Sequence, residues 1–124
     1  MANVGKTQLT FVIVAPAELE AEGDRPFKTH GPWMEATHAR QGDKALLSYS
    51  VSKAPELSNP MDASSAPTGN IVFILDEVYE TPAGVVDHFE QAQASWADFP
   101  AVVEWMGKCK VSGAPVARIF NSLW

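Results

Sequence analysis

Cysteine is nearly missing from this chain. Cys109 stands alone, which excludes an internal disulfide framework and any metal site built from several thiolates. Its neighbours Lys108 and Lys110 favour the thiolate electrostatically, but two flanking lysines are weak grounds for a catalytic thiol, and an unreactive cysteine at an element boundary is the expected reading. Positive charge is scarce too. Nine Lys and Arg against fifteen Asp and Glu leave a net charge of −6, with no basic cluster of the kind that phosphate contacts require. No nucleic-acid partner is expected, and an acidic lipid surface is equally disfavoured. Long apolar runs are absent: FVIVAPA is broken by Pro16, whereas a membrane-crossing helix needs roughly 20 apolar residues. MANVGKTQLT at the amino terminus has no signal-type apolar stretch, so a reducing cytoplasm is the expected location. Gly5, Gly23, Gly31 and Gly42 are isolated, leaving no glycine-rich phosphate loop. No serine stands in a nucleophile elbow.

What remains is a globular composition, 46% hydrophobic over 124 residues, which suits one domain (1–124) around one core. Lys6 to Val14 predicts a first strand that is apolar on both faces, with Leu9, Phe11 and Ile13 on one side and Val12 and Val14 on the other. Pro16 and the acidic AELEAEGDRP segment end it. Helical spacing follows from about Phe27 to Arg40, capped by Thr29 or Gly31 and stopped near Gly42. Pro32 then falls in the first turn, where a missing N–H is harmless. Ala45 to Lys53 alternates as a second strand, and Pro55 to Gly69 reads as a loop. Asn70 to Tyr79 is a third strand, apolar on both faces through Leu75. Thr81 and Pro82 predict the N-cap and first residue of a second helix. Its inward stripe is Val85, Phe89, Ala92 and Trp96. DFPAVVEWMG predicts a short helix, and Lys110 to Phe120 a last strand interrupted at Gly113-Ala114-Pro115.

That order predicts an α+β fold: a ferredoxin-like βαββαβ sandwich, with a four-stranded antiparallel sheet and helices on one face. In this topology the first and third strands are central, and they are the two with apolar residues on both faces. Helices cover one face only. Leaving several hundred Å² of the other in water is unusual for a monomer, and at about 25 cal/mol per Å² its burial contributes on the order of 10 kcal/mol. A homodimer with its two sheets face to face is the expected arrangement.

THGPWMEATHAR, residues 29–40, concentrates the chemistry. His30, Trp33, Met34, Thr37 and His38 share one helical face. His30 and His38 are about 12 Å apart along a helix axis, too far to share a metal ion. Glu35 and His38 form one E-x-x-H step, whereas a di-iron site needs two with further glutamates. No metal site is therefore expected. A pocket is: His30, Trp33 and His38, with Tyr49 and Ser48 or Ser50, supply apolar walls and a few polar points for a small-molecule ligand. A histidine near neutral pKa can take a phenolic proton, and the resulting anion gives an electron to O₂ more readily. His38 is the first choice for that base and His30 the second. Trp33 and Met34 read first as core, given their apolar character. His88 stands at the edge of the second helix's inward stripe, placed either to hydrogen-bond Glu77 or Tyr79 or to act chemically. Trp96, Trp105 and Trp124 read as core or interface anchors.

The stretch DEVYETPAGVVDH, Asp76 to His88, resembles the strand-to-helix element of the antibiotic-biosynthesis monooxygenase-like dimeric α/β-barrel proteins. In that family a strand ends in an acidic residue and an aromatic, and the following helix carries a histidine; Glu77, Tyr79 and His88 occupy those positions here. The resemblance implies a dimeric barrel and, in some members, cofactor-independent oxygenation of anthrones and quinols. Haem-degrading relatives differ: this chain lacks their early-strand asparagine and any histidine after Trp96. No cofactor is therefore expected. The expected function is cofactor-independent monooxygenation of an aromatic, polyketide-like or quinol substrate. His38, His30 or His88 would be the base, and Trp33, Met34, Tyr49 and Tyr79 would shape the pocket. The alternative is a non-catalytic, ligand-binding or stress-associated dimer.

Overall fold

A computed structural model describes residues 2–124. Strand β1 (Thr7–Ala15) leads through a 3-10 turn at Ala17–Leu19 into helix α1 (Glu20–Thr37). Strands β2 (Leu46–Leu57) and β3 (Pro67–Tyr79) follow, then α2 (Pro82–Ser95), α3 (Phe99–Met106) and β4 (Lys110–Arg118). The fold is α+β. All pairings are antiparallel, and the four-stranded sheet runs β2-β3-β1-β4. Both strands read as apolar on two faces, β1 and β3, are central.

Alternation in β1 and β3 sends Leu9, Ile13, Phe73, Leu75 and Tyr79 to one face, where they are buried against side chains of all three helices. Trp96 and Trp105 are core residues there. On the opposite face Val12, Val14, Val72 and Ile74 are half-buried, and Asp76 accepts hydrogen bonds from Gln8 Nε2 (3.0 Å) and Thr10 Oγ1 (2.6 Å). Trp124, expected as an anchor, is 94% exposed in the single chain. Among the described residues, no helix is long and apolar enough to cross a membrane.

Several boundaries differ from expectation. α1 starts at Glu20 rather than Phe27, so the acidic segment is helix, not connection. Its Ala and Glu content favours helix, Glu20 and Glu22 suit the positive N-terminal end of the dipole, and tertiary packing overrides the lost N–H donors of Pro26 and Pro32. Gly23 makes that packing possible. A Cβ there would lie 2.3 Å from the Trp105 ring, and the Trp105 indole donates to the Leu19 carbonyl at 2.9 Å. α1 also ends earlier, at Thr37. His38 is already extended (φ −92, ψ 141) while its N–H still donates to the Met34 carbonyl.

β2 and β3 run further into the expected 55–69 loop, which shrinks to 58–66. β4 passes unbroken through Gly113-Ala114-Pro115. Gly113 (φ +115) lies so close to β1 that a Cβ would stand 2.1 Å from the Thr10 carbonyl oxygen. A register shift between Gln8 and Thr10 absorbs the irregularity, and Pro115 is tolerated because β4 is an edge strand.

Candidate functional site

Three elements converge under the sheet. α1 carries His30, with His38 at its C-cap; β3 carries Glu77 and Tyr79; α2 carries His88. The start of α2 is set locally: Thr81 Oγ1 accepts from the Ala83 N–H at 3.2 Å and Pro82 follows it. Gly84 then brings the helix hard against Tyr79, since a Cβ there would meet the ring at 2.6 Å. One turn on, His88 reaches the cluster.

His30, His38, His88, Glu77 and Tyr79 are all buried, Glu77 completely. His38 Nε2 and His88 Nδ1 are 2.9 Å apart, and Thr37 Oγ1 lies 2.9 Å from His38 Nδ1. Tyr49 Oη is 2.9 Å from His30 Nδ1. Tyr79 Oη donates to Glu77 Oε1 at 2.5 Å, and His88 Nε2 stands 3.8 Å from that same oxygen. Trp96 packs against the His30 ring, with centroids 4.6 Å apart, and stacks on Trp33. Glu77 Oε2 is buried without a hydrogen-bond partner.

Burial sets the charge states. It lowers His30 to about 4, with the neighbouring His38 adding to the effect. It lowers His88 to about 3, helped by His30 and His38. His38 is also lowered by burial, against opposing contributions from Asp87 and its backbone bond to Met34. Glu77 moves the other way, pushed up to about 7 by burial and held back only partly by Tyr79. Burial likewise raises the Tyr49 and Tyr79 hydroxyls. The cluster at neutral pH is three uncharged imidazoles beside a carboxyl near its titration point. The 3.8 Å approach of His88 to Glu77 is then a contact with a neutral ring, not an ion pair.

Two hollows reach this cluster. An apolar cavity of about 450 Å³ is lined by Phe11, Phe27, Leu75, Phe89 and Trp96, among others. Its only titratable lining residues among those described are His30 and His88. Val103 on α3 and Val111 on β4 line it and are half-exposed, which puts its mouth between those elements. The second hollow, about 260 Å³, is a groove lined by Glu35, His38, Arg40, Ser48 and Tyr49.

The residues singled out from sequence are therefore distributed unevenly. His30, His38 and His88 meet, and Tyr49 joins them through His30. Met34 and Tyr49 line the polar groove rather than the apolar cavity, and Ser50 is exposed. Trp33 lines neither hollow, and Tyr79 stands behind Glu77 with no cavity surface. The apolar walls from β1, α2 and α3 were not foreseen as a pocket. The signal available for Glu77 was a carboxylate inside the otherwise apolar alternating row Phe73, Leu75, Tyr79. His30, Glu77 and His88 each offer one ligand-type atom, all within 4.8 Å of one another. The spacing arguments against a metal weighed His30 with His38 and Glu35 with His38, all on one helix, and helix geometry carries no information about partners from β3 and α2. Cys109 is half-buried with its thiol donating to the Trp105 carbonyl, and burial raises its pKa; it is not an activated nucleophile.

The chain matches no protein-family model and no curated protein.

Proposed function

We propose that this protein binds a small, largely apolar molecule carrying an acidic hydroxyl, of phenol, anthrone or quinol type, and ionises that hydroxyl at the end of the cavity where the neutral imidazoles of His30 and His88 position it and Glu77, the group that titrates near 7, takes up the proton. The observation that carries the reading is the composition of the cavity. Its size falls within the range of small-molecule sites, its walls are aromatic and aliphatic, and its polar atoms are concentrated at the end where two neutral imidazoles stand. His38, the first choice from sequence, takes a supporting role behind His88, on the groove side.

The reaction we favour is monooxygenation. An ionised anthrone-type substrate gives electrons to O₂, one oxygen atom enters the carbonyl that replaces a CH₂, and the other leaves as water. All four electrons come from the substrate, so no external reductant is consumed. Oxygen uptake with a panel of anthrones and hydroquinones tests this: turnover that falls in His88→Gln supports it. Ligand uptake into the cavity without oxygen consumption would assign the protein to the ligand-binding alternative instead.

The strand order, with β1 and β3 central and helices on one face, supports a ferredoxin-like sandwich of the dimeric α/β-barrel kind. The half-buried Val12, Val14, Val72 and Ile74 are the surface on which a second copy would close, with the exposed Phe120, Leu123 and Trp124 available to extend the contact. Light scattering at the monomer mass would rule that out.

A further inference from the structure

We infer that His30, His88 and Glu77 form a binding site for one divalent first-row transition-metal ion at the inner end of the apolar cavity. Two imidazoles and one carboxylate from three separate elements are the donor set of facial-triad sites, which leave the remaining coordination positions open. Here the open side faces the cavity, because His30 and His88 line it.

Each donor is already oriented by a partner on its other atom. His30 Nδ1 is engaged by Tyr49 Oη and His88 Nδ1 by His38 Nε2, which leaves Nε2 of each ring for a ligand. Glu77 Oε1 is engaged by Tyr79 Oη, which leaves Oε2, the buried oxygen without a partner. Metal-binding histidines characteristically have their second nitrogen held in this way. A fully buried carboxyl with one unsatisfied oxygen is costly unless a cation or donor meets it. His88 Nε2 lies 3.8 Å from the other oxygen of this carboxyl, and one donor atom from each of His30, Glu77 and His88 lies within 4.8 Å of the others, so the bare oxygen belongs to a carboxyl that already stands beside two imidazoles. With bonds of about 2.0–2.2 Å, donors on one ion stand roughly 3 to 3.5 Å apart, so side-chain rotations of about 1 Å close the site from its present spread.

This deepens the proposed function and rests on it only for the substrate: a hydroxyl entering the cavity would be ionised by coordination rather than by transfer of its proton to a metal-free side chain. Metal binding itself is measured without any substrate. Chelator-stripped, untagged protein titrated with Co²⁺ is expected to develop ligand-field absorption that saturates at one ion per chain, and Zn²⁺ is expected to displace it. Glu77→Gln and His88→Gln should abolish that signal while circular dichroism stays that of the native fold. Tyr79→Phe and Tyr49→Phe, which keep all three donors, should weaken Co²⁺ binding about ten- to a hundredfold. The inference is overturned if no saturable one-to-one signal appears, or if Glu77→Gln binds Co²⁺ as the native protein does. The cavity reading has its own measurement, quenching of tryptophan fluorescence by an anthrone in metal-free protein. Loss of either result leaves the other standing.

Discussion

On one side of the His38–His88 pair lies a cavity of about 450 Å³ walled by phenylalanines, valines and Trp96; on the other lies a groove of about 260 Å³ bordered by Glu35, Arg40 and Ser48. The same imidazole pair thus faces hydrocarbon in one direction and hydrated side chains in the other. Apolar burial drives ligands into the first hollow, while the second provides charged, water-accessible groups around His38. Under the proposed function, ligand selection would fall to the cavity walls, mostly α2, α3 and β1, and exchange of protons with solvent to the end of α1 and to β2. The resemblance of residues 76–88 to a known element pointed to Glu77, Tyr79 and His88 but said nothing of this division.

The division breaks most sharply at the cavity mouth. Val103 is about half-exposed and lines only the apolar cavity, so Val103→Trp should close the entrance while leaving the core intact. Affinity for an apolar hydroxylated ligand should fall about a hundredfold, close to 3 kcal/mol of lost binding, as read by fluorescence quenching or calorimetry. Glu35→Ala, on the groove, should change that affinity less than about twofold. Equal losses in both variants would mean that the ligand occupies the groove.

Two glycines sharpen the same contrast. Gly84 seats α2 on Tyr79, and the Cβ of Gly84→Ala would meet that ring at 2.6 Å. We expect about 1–3 kcal/mol of destabilisation in urea unfolding, with His88 displaced from the cluster. Gly31 sits in the middle of α1 against the groove, where an added Cβ would lie 3.4 Å from the Tyr49 ring, an ordinary contact. Gly31→Ala should therefore stabilise the helix by about 0.5–1 kcal/mol. A similar loss in both would show that the helices adjust to the sheet as one layer.

Neighbouring carboxylates on β3 pose a smaller version of the question, one on each face of the sheet. Asp76 is met by Gln8 and Thr10, whereas Glu77 has a bare oxygen in the interior. Asp76→Asn should cost about 1 kcal/mol. Glu77→Gln should leave metal-free protein as stable as the native chain or more stable by about 1–2 kcal/mol, because a buried ionisable group is removed. If Glu77→Gln were the more destabilising of the two, the carboxylate would be holding the fold together rather than serving a ligand.

How far the sequence could reach follows from where each interaction originates. Apolar runs located the first and third strands, period-two alternation the second, and Thr81-Pro82 the start of α2, because these signals are local. The start of α1 was hidden by Gly23, Pro26 and Pro32, and at Gly23 the helix penalty is offset by the close packing of Trp105, some 80 positions away. The three histidines were legible as candidates, and one helix face supplied the argument against a His30–His38 chelate. Their grouping with Glu77 was not legible, since it depends on α1 and α2 packing over the same stretch of β3. The apolar cavity escaped for a similar reason: each of its wall residues reads as core until the gap between α3 and β4 is known.

Acid should separate the two regions in metal-free protein. His30, His38 and His88 have folded pKa values below the ordinary 6.5, two of them near 4 and 3. Below pH 6.5 the unfolded chain therefore binds protons that the folded chain does not, and stability falls as pH falls. Glu77 opposes this. Its folded value near 7 lies above the ordinary 4.5, so between those values the folded state holds an extra proton and gains stability on acidification. Three imidazoles outweigh one carboxyl, and the net loss from pH 7 to pH 5 should be on the order of 1–2 kcal/mol in urea unfolding. Glu77→Gln removes the opposing contribution and should steepen the acid loss, whereas His88→Gln should flatten it. A native chain whose stability is level or rises from pH 7 to pH 5 would mean that the imidazoles take up protons inside the fold, and the division between a dry cavity and a wet groove would then fail at the histidines themselves.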